Sequence, residues 1–163
     1  GNATVIYEAA LNEYAPLGVE AAVTNTATVS GTGITPVTAA ETVNAEAAPN
    51  LAITKSVSPV PVTENGTLTY TFRIQNYGSV AATNTTGVVI TDTFAPVLNN
   101  LTAALNGTAW TAATDYTYNE ATGTFSSTAG AITVPAATYT QDSTTGAWVV
   151  TPGESTLVIT GTV

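Results

Sequence analysis

Along most of the chain, apolar and polar residues alternate with a period of two, in short runs separated by clusters of Gly, Pro, Asn and Asp. Successive side chains of a strand point to opposite faces, so such runs read as half-buried strands, and the 3.6-residue spacing of helices is nearly absent. The pattern predicts strands over Thr4–Leu11, Gly18–Gly31, Thr38–Ala45, Asn50–Val57, Gly66–Tyr77 and Gly87–Phe94. Further on it predicts Tyr116–Tyr118, Gly123–Ser126, Thr138–Gln141, Ala147–Val150 and Ser155–Val163. Two connections share a design, Asn119 to Phe125 and Asp142 to Trp148. In each, an Asn or Asp opens a type I turn with its side chain and a glycine, Gly123 or Gly146, takes the positive φ that follows, so both are hairpins. Pro16, Pro59, Pro61, Pro96, Pro135 and Pro152 fall between the runs, where a missing amide donor does least harm. So many short strands at this spacing predict an all-β antiparallel sandwich or barrel.

Three polar residues break the alternation on the inward side. Lys55 shares parity with Leu51, Ile53 and Val57, Asp92 with Ile90 and Phe94, and Asn25 with Val23, Ala27 and Val29, whereas Arg73 alternates outward with Thr69, Thr71 and Gln75. Two chemistries fit. One is a hydrogen-bonded Lys55–Asp92 ion pair at the rim of the core, with the lysine stem reaching toward water. The other is an isopeptide crosslink, in which the neutral amine of a buried Lys55 attacks the carboxyl of Asp92 or the amide of Asn25, with Glu64 or Glu154 moving the proton.

The segment Ala45–Asn50, small-residue and Pro-containing, is the expected domain boundary. Beyond it come Asn50-Leu-Ala-Ile-Thr-Lys-Ser-Val-Ser-Pro59, Asn65-Gly-Thr-Leu-Thr-Tyr-Thr-Phe-Arg-Ile-Gln-Asn76-Tyr-Gly78 and Val88-Val-Ile-Thr-Asp-Thr93. Together these resemble the start of the surface repeat known as domain of unknown function 11, whose members are Ig-like sandwiches strung in tandem along long bacterial and archaeal surface proteins. The closing strands of that repeat look like Thr24-Asn-Thr-Ala-Thr-Val-Ser30, and here that motif precedes the opening one. The resemblance implies closing strands of one repeat over residues 1–46, a linker at 47–49 and the opening strands of the next repeat over 50–163, with residues 106–150 as a hairpin insert. An Ig-like sandwich begins and ends at opposite poles. A linker this short cannot return across a domain of ~25–30 Å at ~3.3–3.6 Å per residue, so each piece is expected to be completed by a neighbouring copy.

Composition narrows the function. Charged residues are 8% of the chain, against roughly 25% in ordinary soluble domains, and a Thr-rich surface replaces them. Two basic and eleven acidic residues give a net charge of −9, which leaves no basic patch for nucleic acid or anionic lipid. Cys, His and Met are all absent, which removes disulfide, thiolate and imidazole chemistry. No Gly-x-Ser-x-Gly, phosphate loop or close acidic pair points to turnover, so no enzyme activity and no cofactor is expected. Without a run of ~20 apolar residues no membrane insertion is expected, and for an exported protein the targeting segment lies outside these residues. Asp115, Glu120 and Asp142 are the acids to weigh for calcium, although no Asp-x-Asp-x-Asp loop gathers them and no metal site is expected. Asn2, Asn65, Asn84, Asn100 and Asn106 open Asn-x-Ser/Thr patterns, which chance produces in so Thr-rich a chain.

The sequence thus leads to an extracellular or cell-surface structural protein, a repeat of a fibre, stalk or pilus-like filament assembled head-to-tail by strand complementation, whose partners are other copies of itself. A second reading is an adhesin or carbohydrate-binding module. It would use residues 106–150, with Trp110 and Trp148 stacking on a glycan or docking a host surface protein.

Overall fold

The computed structural model describes residues 3–12, 15, 22–44 and 47–163. These form twelve strands: β1 (Ala22–Gly31), β2 (Ile34–Asn44), β3 (Leu51–Ser58), β4 (Thr67–Asn76), β5 (Thr91–Thr93), β6 (Asn99–Leu105), β7 (Thr108–Ala109), β8 (Tyr116–Asn119), β9 (Thr124–Ser127), β10 (Thr138–Gln141), β11 (Trp148–Thr151) and β12 (Gly153–Thr162). The protein is all-β, with antiparallel sheets. It divides into two compact units, Gly1–Glu46 with Tyr139–Val150, and Ala47–Thr138 with Thr151–Val163.

The larger unit is a two-layer sandwich. One sheet has the order β3-β4-β12-β6-β7 and the other β5-β9-β8. β4 sets the frame, because Leu68, Tyr70, Phe72 and Ile74 all fall on one face and are all buried while Thr69, Thr71 and Arg73 alternate away. β12 pairs with β4 along its whole length, from Gly153 opposite Asn76 to Thr162 opposite Thr67, and adds Leu157 and Ile159 to the same face. Phe125 of β9, Tyr116 of β8 and Phe94, Leu98, Ile132 and Val134 of the connections close the core from the other layer. Phe125 stacks on Tyr116 at 5.3 Å between ring centroids, and Phe94 packs on Tyr70 at 4.7 Å.

One end of this unit is tied by a side chain. Asn76 is fully buried; its Oδ1 accepts from the amides of Asn50 and Gly78 at 2.9 Å each, and its Nδ2 donates to the carbonyls of Val80 at 2.8 Å and Pro135 at 3.0 Å. Residues 48–50 lie so close to Gly78 that a Cβ there would stand 2.1 Å from the Ala48 carbonyl oxygen, so only glycine fits.

The smaller unit contains the β1–β2 hairpin. Its register pairs Val23 with Val43, Asn25 with Glu41, Ala27 with Ala39 and Val29 with Val37, which collects these residues on one face. The opposite face carries Thr24, bonded to Thr42 at 2.8 Å, and Thr26, Thr28 and Thr38. β10 and β11 form a second hairpin.

Several expectations from the sequence are corrected. The run over Thr4–Leu11 forms no strand, because alternation alone supplies no ladder partner; residues 18–21 and 45 of the expected strands lie outside the described residues. β2 starts at Ile34, upstream of the expected Thr38, because a bulge opposite Ser30 absorbs Pro36. β6 and β7 were not legible, and within the stretch 106–150 the part up to Thr138 is not an appended insert: β8 and β9 form the second sheet with β5 and supply Tyr116 and Phe125 to the core, whereas Tyr139–Val150 falls in the smaller unit.

Both expected hairpin turns are present. Asn119 Oδ1 accepts from the Ala121 amide at 2.9 Å with Gly123 at φ 71°, and Asp142 Oδ1 accepts from Thr144 and Thr145 at 2.9 and 2.7 Å with Gly146 at φ 75°. These amides, Thr145 first, hold the Asp142 carboxyl below the usual carboxylate range. Since the folded value is the lower one, the turn is supported above the ordinary carboxylate pKa and loses that support as pH falls through the folded value. An NMR titration should therefore move the Thr144 and Thr145 amide signals with a midpoint below that of an unstructured Asp; a midpoint at the ordinary value would contradict the turn geometry.

Candidate functional site

The sandwich is open along one side. Among the described residues β3 and β5 are edge strands of their respective sheets, each with a single hydrogen-bonded neighbour, β4 and β9. Between them lies an apolar cavity of ≈ 180 Å³ lined by Leu51, Ile53, Ile74, Val88, Val89 and Ile90. Leu51, Ile53 and Val57 point from β3 toward the space between the sheets and remain exposed, because nothing among the described residues of this unit covers them. The expectation that Lys55 is buried is corrected for the same reason: its side chain is 40% exposed.

Lys55 and Asp92 nevertheless meet. Lys55 Nζ donates to Asp92 Oδ2 across the mouth of the groove, and the ammonium sits over the rings of Tyr70, Phe94 and Phe72 at 4.8, 5.3 and 5.4 Å. Asp92 Oδ1 accepts from the Thr93 amide at 2.9 Å. The pair thus joins the two open edges over an aromatic floor.

Asn25 stands on β1 in the other unit, on the apolar face, where its Nδ2 donates to the Tyr7 hydroxyl. Glu154 is not available to Lys55, because β12 parity turns it outward. Its carboxylate binds Arg73 through both oxygens and accepts from Gln75 at 2.8 Å, and the Arg73 hydrogen bond lowers its pKa. Sequence reasoning passed over Glu41. The β1–β2 register sets it beside Asn25, and pairing the two runs by their parity would have found it.

Trp110 packs against the core and donates its amide to Ala103 at 2.8 Å, while Trp148 lies on β11 in the other unit. A separate open cleft of ≈ 640 Å³ is lined by Tyr116, Tyr118, Asn119, Glu120, Leu101 and Ala112, without either tryptophan. Asp115 has a local role, accepting from the Thr111 amide at 2.7 Å, as Asp142 does in its turn. The Asn106 side chain is engaged by Ser155 and Thr156. Fold and site together define an all-β sandwich protein with a two-faced hairpin and a groove that is uncovered among the described residues of its own unit. Comparison with protein-family models, curated proteins and solved structures found no match.

Proposed function

We propose that this chain is a structural subunit of an extracellular fibre, stalk or pilus-like filament, assembled head-to-tail: the β1–β2 hairpin of one copy fills the open groove of the next and completes an Ig-like sandwich of the domain of unknown function 11 type. One observation carries this reading. Among the described residues the chain holds both halves of a contact, a groove with two unpaired strand edges and a hairpin whose apolar face is largely exposed, with Val29, Val37 and Val43 each about two-thirds exposed (66%, 65% and 70%). Uncovered edges and apolar faces are the ordinary substrates of β-strand addition.

The geometry favours a second copy over self-closure. β3 and β5 run the same way, since Leu51–Ile53 lies beside Val88–Ile90 and Lys55 beside Asp92. β1 has no proline and can pair on both edges, whereas β2 carries Pro36 and suits an outer position, so β1 takes the place beside β5. Antiparallel pairing, as between the other strands of these sheets, then directs β2 parallel to β3 and ends it at the far pole from Leu51. The eight residues of β3 span about 26 Å at ~3.3 Å each. Residues 48–50 are held at the near pole by Asn76 and Gly78, and from Asn44 to Ala48 the chain reaches only about 14 Å.

The Thr-rich, weakly charged composition suits an exposed fibre, and the role is structural rather than catalytic. Electron microscopy of the purified protein should show filaments with a constant axial repeat. Val29→Asp with Val37→Asp, which puts two charges on the hairpin face, should reduce assembly at least tenfold and leave the sandwich unit folded. Filaments from the double variant, or a compact self-closed monomer of the native chain, would refute the reading.

A further inference from the structure

Docking the hairpin by these rules leaves one register that sorts polar with polar. β1 antiparallel to β5 with Asn25 opposite Asp92 brings Val23 to Phe94, Ala27 to Ile90 and Val29 to Val88. The β1–β2 register then carries Glu41 to Lys55, Ala39 to Ile53, Val37 to Leu51 and Val43 to Val57. Lys55, Asp92, Asn25 and Glu41 fall in a single layer, with apolar layers on both sides. A shift by two residues along either strand would bury these groups against valine, isoleucine, alanine or phenylalanine and leave charges unpaired.

Resting on the strand-complementation reading, we infer that this layer is a crosslinking site: Lys55 Nζ of one copy forms an isopeptide bond with Asn25 Cγ of the hairpin supplied by its neighbour, with the Asp92 carboxyl as proton carrier. Three features of the chain lead there. The pair Lys55–Asp92 is already assembled over Tyr70, Phe72 and Phe94, and it lies at the mouth of the groove, where the hairpin would seal it from water. Lys55 is the only lysine in the chain. Asn25 is the carboxamide that β1 places on its apolar face, where it is exposed and donates to the Tyr7 hydroxyl.

In the open groove the pair is ionic. Once the hairpin excludes water both charges lose solvation, and transfer of one proton from the ammonium to the carboxylate leaves a neutral amine beside a neutral acid. The amine attacks Asn25 Cγ, the Nζ–Cγ bond forms, and Asp92 donates its proton to the amide oxygen. Asp92 then carries the proton shed by the attacking nitrogen to Nδ2, the Cγ–Nδ2 bond breaks and ammonia leaves. As the carbonyl re-forms, its proton returns to Asp92, which ends the step as the neutral acid. An amine and a primary amide have become a secondary amide and ammonia, with no change of oxidation state. Asp92 is the poorer electrophile because its carboxylate already holds the ammonium. Burial and fixed approach replace activation of the amide, as holding two groups in register does in other intramolecular reactions.

The test combines microscopy, hot-detergent gels and mass spectrometry on filaments of the full chain. Native filaments should survive boiling in SDS as a ladder of multiples, each junction lighter by one ammonia, and tandem mass spectrometry should map the bond to Lys55 and Asn25. Lys55→Arg keeps the ion pair to Asp92 and removes the nucleophile; its filaments should form normally and dissolve to monomers in SDS. Asp92→Asn should slow ladder formation at least a hundredfold without abolishing filaments. Native filaments that dissolve to monomers of full mass would overturn the crosslink and leave head-to-tail assembly standing. Loss of ammonia confined to monomers would overturn the crosslink between copies, and absence of filaments would overturn both.

Discussion

Replacing Asn76 by Ala is expected to lower the stability of the sandwich unit by about 3–5 kcal/mol, because one buried side chain closes four hydrogen bonds and each backbone group left without a partner costs ~1–3 kcal/mol. Two donated and two accepted bonds converge on this amide, joining the start of β3, the end of β4 and the Pro135 connection. The individual losses do not add fully, since the segment can relax toward water. Asn76→Asp keeps the accepting oxygen but turns the donating nitrogen into an oxygen facing the Val80 and Pro135 carbonyls, so it should not rescue the loss. Chemical denaturation followed by tryptophan fluorescence measures the change; a loss under 1 kcal/mol would show that the pole is not held by this side chain. The variant has a second consequence for assembly, because Asn76 helps fix residues 48–50 and thereby the short reach of the linker.

Phe125→Ala should cost a similar amount, about 3–5 kcal/mol, for a different reason: the deleted ring leaves a cavity that the sheets cannot close. Phe125 is fully buried, stacks on Tyr116 and meets Phe94 at 6.3 Å between centroids, so its loss loosens the β5-β9-β8 layer as a whole. Val37→Ala offers the contrast. That side chain is 65% exposed on the hairpin, and its truncation should change monomer stability by less than ~0.5 kcal/mol while weakening assembly. Equal stability losses from the two substitutions would contradict both the core and the docking face described above.

The most local features were the most legible. β4, β12 and the turns at Asn119 and Asp142 follow from period-two alternation and from side chains that bond their own backbone, both written within a few residues. The inward parity of Lys55 and Asp92 was legible for the same reason, and their contact followed. β6 was not, because its Ala103 and Ala104 carry little strand preference and it becomes a strand by pairing with β12, more than fifty positions away. The run Gly87–Phe94 has the alternation of a full strand, yet only Thr91–Thr93 is one, since the β9 ladder covers those residues and the Ile90 amide is taken by the Ser127 side chain rather than by a backbone carbonyl.

By itself, then, the sequence determined an all-β chain, its hairpin turns, the faces of its strands and the odd polar residues on those faces, because each depends on neighbours along the backbone. Only the tertiary structure decided which strands share a sheet, which edges stay unpaired, and that Lys55 and Asp92 guard an open groove while Glu154 turns away to Arg73. Sheet pairing joins residues far apart in sequence, and alternation carries no information about which partner a strand will find.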